Sequence, residues 1–297
     1  MSGTKVTKAV QPLLPLYERL LPARLTGLSM ALLKATALEL AILAGHLLIY
    51  PSGLVQERRP APTAPSDPSP DLPDRTAQLP TEEKPPVVLL HGFIDNRSVF
   101  VLLRRSLAQH GRRQIESLNY SPLTCDIRAA AELLGRHIED ICERTGHDRV
   151  DVVGHSLGGL IARYYVQRLG GDLRVRTLVT LGTPHSGTRV APLANAHPIV
   201  RQMRPGSDVL EELREPAPGC RTHFVAFWSD LDHLMDPLET ACVDHPDLMA
   251  QNTRVTGIGH LALPVHPAVA AGIRQALDTS QTGALPATGH PGGLTVA

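Results

Sequence analysis

The sequence predicts an α/β fold in which about six mainly parallel strands are flanked by helices. The first observation behind this prediction is that short apolar runs alternate with helical patterns between residues 87 and 278. Such alternation is typical of a parallel sheet that is covered by helices on both faces. The second observation is the pentapeptide GHSLG at residues 154–158, which lies between a predicted strand and a predicted helix. We therefore expect residues 87–278 to form one folded domain.

The elements of this domain follow one another in a regular order. Apolar runs predict six strands, at Val87–Leu90, Gln114–Leu118, Val150–Val153, Thr177–Leu181, Thr222–Trp228 and Thr253–Gly257. Helical periodicity predicts helices near residues 98–109, 126–144, 157–169 and 265–277. The segment Ser186–Gly219 contains a single predicted helix, Asp208–Glu215, and we expect this segment to form a small cap over the sheet edge.

The pentapeptide predicts a tight turn that leads from a strand into a helix. Ser156 must take strained backbone angles in such a turn, and Gly154 and Gly158 must lack a Cβ because a side chain there would clash. The turn places the serine hydroxyl at the carboxyl edge of the sheet. We therefore expect Ser156 to act as a nucleophile on a carbonyl group.

A serine hydroxyl is a weak nucleophile and requires a base, which in turn requires an acid that orients it. Where a serine occupies such a turn, the acid and then the histidine follow it along the chain. His260 comes directly after the last predicted strand, and Gly257 and Gly259 would let its loop approach Ser156. We therefore expect His260 to be the base.

The other candidate histidines have less suitable positions. The alternatives after the serine are His233, His245 and His266, and each of the last two is followed by proline. His155, inside the turn, is expected to pack or to form hydrogen bonds. Because His185 precedes the acid, we expect it to shape the rim of the pocket.

The acid is expected on the loop after the fifth predicted strand, where three aspartates compete. Asp232 is far enough past the strand to turn back towards the base, and Leu231 and Leu234 would bury it. Asp230 could instead hold the loop through backbone hydrogen bonds, as aspartate does in turns. Asp236 has the position of a turn residue. Asp232 is the expected acid, and the other two remain alternatives.

Two backbone N–H groups are expected to bind the oxyanion that attack by a serine creates. The first belongs to Leu157, the residue after the expected nucleophile. The second is expected on the loop after the first strand, where Gly92 allows a sharp turn that presents the N–H of Phe93. The Phe93 side chain could also line the pocket for the acyl group.

Five motifs together resemble the compact microbial lipases and esterases of the α/β-hydrolase superfamily. They are HGF at 91–93, GHSLGG at 154–159, LGTPHSGT at 181–188, SDLD at 229–232 and GIGH at 257–260. The resemblance covers residues 87–278 and implies a catalytic domain with the α/β-hydrolase fold. It implies a carboxylic ester hydrolase, a lipase or esterase that acts on acyl esters or lipids through an acyl-serine intermediate.

The resemblance also implies a role for each site residue. The nucleophile, acid and base fall on Ser156, Asp232 and His260, and the two oxyanion donors fall on Phe93 and Leu157. The GTPH-x-GT stretch also recurs in deacylases that act on lipid anchors and in lipid acyltransferases. A lipid acyltransferase or a thioesterase with the same triad is therefore the alternative, and a non-catalytic binding protein of this fold is an alternative of another class.

The composition argues against several other classes. The 29 basic and 29 acidic residues give a formal net charge of +0, so no basic surplus favours nucleic acid as a partner. The sequence has no GxxxxGK[ST] phosphate loop and no C-x-x-C pair, which argues against nucleotide binding and structural zinc. We expect neither a metal ion nor an organic cofactor.

The four cysteines allow one disulfide hypothesis. Cys125 and Cys142 bracket a predicted helix that spans about 25 Å, so they are too far apart to form a disulfide. Cys220 and Cys242 flank one strand and its following loop. A disulfide between these two is our hypothesis, because we expect a location outside the cytoplasm.

The N-terminal residues 1–50 are apolar with interspersed basic residues. Residues 28–50 are long enough to cross a bilayer, yet they include Lys34, Glu39 and His46. A charge near the centre of a span costs about 2.5–3.5 kcal/mol, which disfavours a simple transmembrane helix. We expect this segment to associate with a membrane surface, in a protein that is cell-envelope associated or secreted.

The alternative is a helical hairpin, broken near Pro22, that packs on the enzyme. A cleaved signal peptide fits less well, because the leader is long and no convincing cleavage site follows. Proline recurs through residues 51–86 and predicts an extended linker. Residues 279–297 are rich in glycine and proline and predict a disordered tail.

Overall fold

The structure is a computed structural model that describes residues 30–54, 83–93, 95–120, 126–190, 197–282 and 294–295. Most of the predicted linker and most of the predicted C-terminal tail lie outside the described residues. Residues 1–29, with the predicted break near Pro22, and Cys125 also lie outside them.

In the described residues, seven strands form one sheet in which every neighbouring pair is parallel. They are β1 Val87–Leu90, β2 Ile115–Leu118, β3 Val150–His155, β4 Val175–Leu181, β5 His223–Ser229, β6 Met249–Thr256 and β7 Leu294–Thr295. Their order across the sheet is β2-β1-β3-β4-β5-β6-β7. The first six confirm the strands that the apolar runs predict, although β6 begins at Met249 rather than at Thr253.

One helix precedes the first strand, and the others lie between strands along the chain. They are α1 Met30–Leu54, α2 Val101–Gln109, α3 Ile127–Thr145, α4 Leu157–Arg168, α5 Pro198–Gln202, α6 Asp208–Glu212 and α7 Pro267–Thr282, with single 3₁₀ turns at Arg97–Phe100, Gly171–Leu173 and Leu238–Ala241. Within residues 186–190 and 197–219, the described part of the cap segment, there are two short helices, α5 and α6, where the sequence predicts one. Helix α6 begins after Ser207, whose side-chain hydroxyl accepts a hydrogen bond from the Leu210 N–H.

The C-terminal boundary also differs from the prediction. Helix α7 continues to Thr282, so the first residues of the predicted tail are helical. Leu294 and Thr295 pair with Val255 and Thr256 at the edge of the sheet. The free edge of β6 offers unpaired backbone groups, and such an edge is a template for a short additional strand.

The central strands β1, β3, β4 and β5 consist mostly of buried residues because helices cover both faces of the sheet. Successive strand residues alternate between two buried clusters. One cluster packs under α3 and α4 and includes Val88, Leu90, Val152, Leu178 and Phe224. The other packs under α2 and α7 and includes Val87, Leu89, Val153, Val179 and Phe227. Helix α3, one of the covering helices, has a cap at each end. Asp126 accepts a hydrogen bond from the Ala129 N–H at 2.7 Å at its start, and Gly146 ends the helix with a φ of 73°.

The strand order determines where a site can form. Strand β1 lies between β2 and β3 in the sheet. The strand order therefore reverses at β1, because the next strand in the chain lies on one side of it and the strand after that lies on the other. Crevices at the carboxyl ends of strands beside such a switch point are the usual ligand sites of open parallel sheets. The loop after β1 and the turn at Ser156 after β3 both lie at this point.

The N-terminal helix α1 contacts the domain beside the loop after β1. The side-chain amide of Asn96 donates to the Tyr50 carbonyl at 2.8 Å, and Ala35 and His46 are buried. Most other side chains of α1 that the structure describes are exposed. By length and composition, one helix of the described residues, at Leu33–Pro51, could cross a membrane, although a signal sequence or a core helix passes the same test.

Cys220 and Cys242 have free thiols in the structure, so the disulfide hypothesis is wrong. Cys220 precedes the start of β5. Val243, next to Cys242, donates its N–H to the side chain of Asn252 at 2.8 Å, and Asn252 lies opposite Ala226 in the middle of β5. The two thiols therefore lie at different positions along the strands. Burial raises the pKa of both thiols, which keeps them in the unreactive neutral form.

Candidate active site

Ser156 occupies a strained turn between β3 and α4. Its backbone angles are φ 52° and ψ −119°, and among the described residues it alone has a positive φ without being glycine. Its N–H donates to the Leu181 carbonyl at 2.9 Å, and its carbonyl accepts from the Thr183 hydroxyl at 3.0 Å. Strain of this kind costs about 1–3 kcal/mol and persists where the surrounding structure enforces it.

The glycines on either side of the serine have no room for a side chain. A Cβ on Gly154 would lie 2.6 Å from the backbone of Gly159, and a Cβ on Gly158 would lie 2.4 Å from the Leu90 carbonyl oxygen. The second contact shows how closely α4 approaches the end of β1. The turn therefore keeps its shape only with glycine at these positions.

Asp232 and His260 form a buried pair. His260 Nδ1 lies 2.7 Å from Asp232 Oδ2, and the two side chains are 4% and 0% exposed. Because an ionised carboxylate only accepts hydrogen bonds, His260 donates from Nδ1 and keeps Nε2 as an acceptor. Burial lowers the pKa of His260, but the charge of Asp232 and its hydrogen bond raise it more, so the net pKa lies above the ordinary value.

The two loops that carry this pair are tied together. The Ser229 hydroxyl donates to the Ile258 carbonyl and accepts from the Leu231 N–H at 3.1 Å. The second carboxylate oxygen of Asp232 accepts from the Leu234 N–H at 2.9 Å. The carboxylate therefore has a fixed direction before any substrate arrives.

The pair lies beside the serine turn. A Cβ on Gly182 would lie 2.9 Å from both Asp232 Oδ2 and His260 Nδ1, and Gly182 directly follows the residue that binds the Ser156 N–H. The ring of His155, which precedes the serine, lies 4.8 Å from the ring of His260. The structure thus brings Ser156, Asp232 and His260 to one edge of the sheet.

The loop after β1 lies against the serine. A Cβ on Gly92 would lie 3.4 Å from the Ser156 Cβ, so the backbone of this loop reaches the nucleophile closely. Phe93 follows it, and its ring contacts His197 edge to face at 5.4 Å. Leu157 is the first residue of α4. The N–H groups of a first helical turn have no acceptor within the helix, so they can bind an anion at this place.

Comparisons with known proteins agree with this architecture. The family model described as "alpha/beta hydrolase fold" matches residues 85–215. The mature lipase BlEst2 of Bacillus licheniformis superposes with a TM-score of 0.57 at 17% identity, over 67% of this chain and 94% of that chain. The described domain has the α/β-hydrolase fold. Lipase B of Aspergillus fumigatus has the same fold, with a TM-score of 0.59 at 17% identity over 66% of this chain and 52% of that chain.

Curated relatives match a shorter part of the sequence. A triacylglycerol lipase of Pseudarthrobacter phenanthrenivorans is 31% identical over 114 residues, which are 36% of this chain and 35% of the relative. A triacylglycerol lipase of Vibrio cholerae is 30% identical over 138 residues, which are 45% of this chain and 41% of the relative. The chain therefore spans about a third to two fifths of the length of these relatives.

The two competing aspartates have other contacts. Asp230 lies 3.0 Å from Arg254 and accepts from the Gly257 N–H at 3.4 Å, which is the loop-holding role considered for it. Asp236 is exposed. The expectation that Leu231 and Leu234 bury Asp232 is partly wrong, because Leu234 is 42% exposed. The buried carboxylate lies instead against His260 and beside Gly182, which directly follows β4.

The competing histidines are bound elsewhere or exposed. His245 binds a backbone carbonyl of the cap segment at 3.0 Å, and His266 accepts from an N–H in the first turn of α7 at 3.2 Å. His233 is exposed. His185 binds a threonine of β4 at 2.9 Å, and burial holds its pKa well below the ordinary value. Of His233, His245, His260 and His266, only His260 has a buried carboxylate partner beside the serine turn.

Two carboxylates near the site are not predicted from the sequence. The first is Asp95, whose oxygens lie 3.4 Å from His155 Nδ1 and 3.6 Å from His46 Nδ1. Burial raises the pKa of Asp95, but the hydrogen bond and charge of His155 lower it more, so the net pKa is below the ordinary value. Its only sequence signal is an acidic residue two positions after the HGF motif.

The second is Glu39 of α1. Its two carboxylate oxygens accept from the backbone N–H groups of Leu261 and Ala262, each at 2.9 Å. These amides directly follow His260 in the sequence. The sequence signal for Glu39 is a carboxylate inside an apolar stretch, which indicates a cost of membrane insertion but no binding partner.

Proposed function

We propose that this α/β-hydrolase is a carboxylic ester hydrolase, a lipase or esterase that works through an acyl-serine intermediate. The observation that carries the proposal is the buried hydrogen bond of 2.7 Å between His260 and Asp232 beside the strained turn of Ser156. A base that is oriented by an acid and adjacent to a serine is the arrangement that activates a hydroxyl group for attack.

In the first step, His260 Nε2 takes the proton from the Ser156 hydroxyl while the serine oxygen attacks the ester carbonyl carbon. A bond forms between the serine oxygen and that carbon, and the carbonyl electron pair moves to its oxygen. The imidazolium that results is stabilised by the charge of Asp232. The raised pKa of His260 fits this role, because the pair favours the protonated ring.

The negative oxygen formed in this step requires donors that are already in place. The N–H groups of Leu157 and Phe93 fit this role, because one begins α4 and the other follows the glycine that approaches Ser156. Donors of this kind each contribute about 2.7–4 kcal/mol of transition-state stabilisation.

In the second step, the tetrahedral intermediate breaks down. The bond to the alcohol oxygen breaks, and the protonated His260 gives its proton to that oxygen, which leaves as an alcohol. The acyl group remains on Ser156. Water then repeats the two steps with the same base and releases the carboxylic acid.

We further propose that the substrates are acyl esters of lipids. Support comes from the curated relatives, which are named triacylglycerol lipases, and from the apolar N-terminal helix beside the site. The proposal is tested with p-nitrophenyl esters of increasing acyl chain length and with triacylglycerol emulsions. Hydrolysis by the wild-type chain and its loss in S156A support the function. A product in which the acyl group is on an added alcohol instead would favour acyl transfer.

We also propose that α1 lies on a membrane surface instead of crossing the bilayer. Leu40, Leu47 and Leu48 are 62%, 66% and 82% exposed, so the helix presents an apolar surface beside the active-site loops. A spanning orientation would separate Glu39 from the amides that it binds. Interfacial helices bind with their axis in the membrane plane and their apolar face in the lipid. The orientation would bring the site to a lipid substrate.

A further inference from the structure

Glu39 makes a contact that joins the two ends of the chain. It is the only acidic residue of α1, and it binds amides 222 and 223 residues further along the sequence. A carboxylate that accepts from two consecutive backbone N–H groups fixes both their positions and their direction. The contact therefore restrains the loop after β6 and not merely one side chain.

The loop is shaped to receive this carboxylate. A Cβ on Gly259 would lie 2.6 Å from the Glu39 Cδ and 2.8 Å from its Cγ, so only glycine allows the side chain to approach. Gly259 directly precedes His260, and the bound amides directly follow it. Glu39 thus contacts the loop on both sides of the histidine.

These contacts restrain both the ring and the backbone of His260. Its ring is bound by Asp232 through Nδ1, and its backbone is held by the carboxylate from α1. Its carbonyl also lies 3.3 Å from His155 Nε2. A displacement of about 1 Å in a catalytic group can cost a hundredfold in rate. The direction of Nε2 towards Ser156 therefore depends on the backbone as well as on the ring.

We propose that Glu39 is a positioning residue: it fixes the loop that carries His260 and makes α1 part of the catalytic unit. The inference rests on the ester hydrolase function proposed above. It deepens that function, because it assigns a structural basis for activity to a helix that lies outside the expected catalytic domain at residues 87–278. It also predicts that loss of α1 lowers the activity of the chain.

The charge of Glu39 gives a second consequence. The ionisable groups that face His260 are Asp232 from the loop after β5, Glu39 from α1, Asp95 from the loop after β1 and His155 from the serine turn. The three carboxylates all raise the pKa of His260. Removal of the Glu39 charge should lower that pKa, whereas loss of an uncharged contact would leave it unchanged.

The test compares E39Q, E39A and E39D with K34Q in the full chain. Lys34 is exposed on the same helix, so K34Q changes its charge away from the loop. We expect kcat on a soluble p-nitrophenyl ester to fall roughly 10- to 100-fold in E39Q and further in E39A, while KM changes less. K34Q should keep the wild-type kcat.

The pH profile of kcat/KM reports whether the charge of Glu39 acts on His260, apart from the contacts that hold α1 on the domain. Its acid limb reports the pKa of His260, which must be neutral to act as a base. The limb should move to lower pH in E39Q and stay in place in E39D, which retains the charge. Circular dichroism and thermal unfolding check that each variant is folded. If E39A does not fold, E39D replaces it in the comparison.

Hydrogen exchange in residues 257–266 gives a readout that does not depend on activity. We expect faster exchange in E39A than in the wild-type chain at this loop. Wild-type kcat, pH profile and exchange in both E39Q and E39A would overturn the inference while the proposed function stands. If the wild-type chain hydrolyses no ester, the proposed function is wrong, and the exchange comparison still decides whether Glu39 fixes the loop.

Discussion

His260 Nδ1 lies 2.7 Å from Asp232 Oδ2, and neither side chain has appreciable contact with water. Burial alone would favour a neutral imidazole, but the aspartate charge reverses this preference and raises the histidine pKa. The pair is therefore prepared to accept and then release one proton. Because it lies beside the Ser156 turn, this proton is expected to be that of the serine hydroxyl.

The identity of the acid is tested by two aspartate variants of one loop. We expect D232N to lower kcat about 10³- to 10⁴-fold, because an amide at this position fails to stabilise the imidazolium. D230N should cost far less, since Asp230 binds Arg254 and a loop N–H instead of the histidine. Steady-state kinetics on one ester, with the fold checked by circular dichroism, compares them. A greater loss in D230N would contradict the assignment.

The pH dependence of the wild-type chain follows from the raised pKa of His260. The base must be neutral to accept the serine proton, so activity is lost as the pH falls through this pKa. Because the pKa is raised above the ordinary value of 6.5, we expect the acid limb of kcat/KM to lie above pH 6.5. An acid limb below that pH would show that the aspartate charge does not govern the histidine.

Gly182 provides a test of the packing beneath the pair. A Cβ there would lie 2.9 Å from both Asp232 and His260, at a backbone φ of 53°. We expect G182A to lower kcat at least about tenfold, because the pair must shift. G219A is the matched control, since Gly219 has a φ of 79° with open space around it.

Both glycine variants should lose some stability from backbone strain, by about 1 kcal/mol or more. Only G182A should lose activity beyond the effect of unfolding. Thermal unfolding and kcat are measured on the same samples. Equal activity of G182A and the wild-type chain would show that the pair tolerates displacement.

The membrane proposal predicts a loss of lipid binding when the exposed face of α1 becomes charged. We expect L47D/L48D to reduce cosedimentation with phosphatidylcholine and phosphatidylglycerol vesicles at least about tenfold, because each buried leucine contributes about 1.5–3 kcal/mol. L173D is the control, since Leu173 is 60% exposed on the 3₁₀ turn before β4. Hydrolysis of a soluble ester should not change in either variant. Equal vesicle binding by all three chains would contradict the proposal.

The fold and the central site residues could be predicted because their signals are local. Parallel strands that are covered on both faces are mainly apolar and buried, as β1, β3, β4 and β5 are. Strands β2 and β6 are more polar, and β7 has two residues, too few for any periodicity. The chemistry of a serine turn and the order of acid and base along the chain then select Ser156, Asp232 and His260 as candidates.

The supporting contacts could not be predicted, because they depend on tertiary distances. Glu39 and its two amides are separated by more than 200 residues, and the contact exists only because α1 returns to the loop after β6. The contacts of Asp95 could not be predicted for the same reason, since one of its histidine partners lies on α1. A carboxylate in an apolar helix has a sequence signal, but the signal does not identify its partner.

The incorrect disulfide hypothesis has a related cause. Sequence spacing placed Cys220 and Cys242 at the two ends of one strand and its loop, but pairing requires that their Cα atoms approach within about 7 Å. The loop after β5 returns only as far as the middle of β6, where Asn252 holds it. Spacing along the chain therefore did not determine the distance in the fold.

The central claim is that Ser156 is the nucleophile of an ester hydrolase, activated by His260. The most direct test is labelling of the intact chain with a serine-reactive alkyl phosphonate, followed by mass spectrometry of the peptide that contains residues 150–168. We predict one phosphonate per chain on Ser156, with matching loss of ester hydrolysis. We also predict no labelling of this peptide in S156A and much slower labelling in H260A. Folded wild-type chain that resists the phosphonate, or S156A that still hydrolyses esters at the wild-type rate, would contradict the claim.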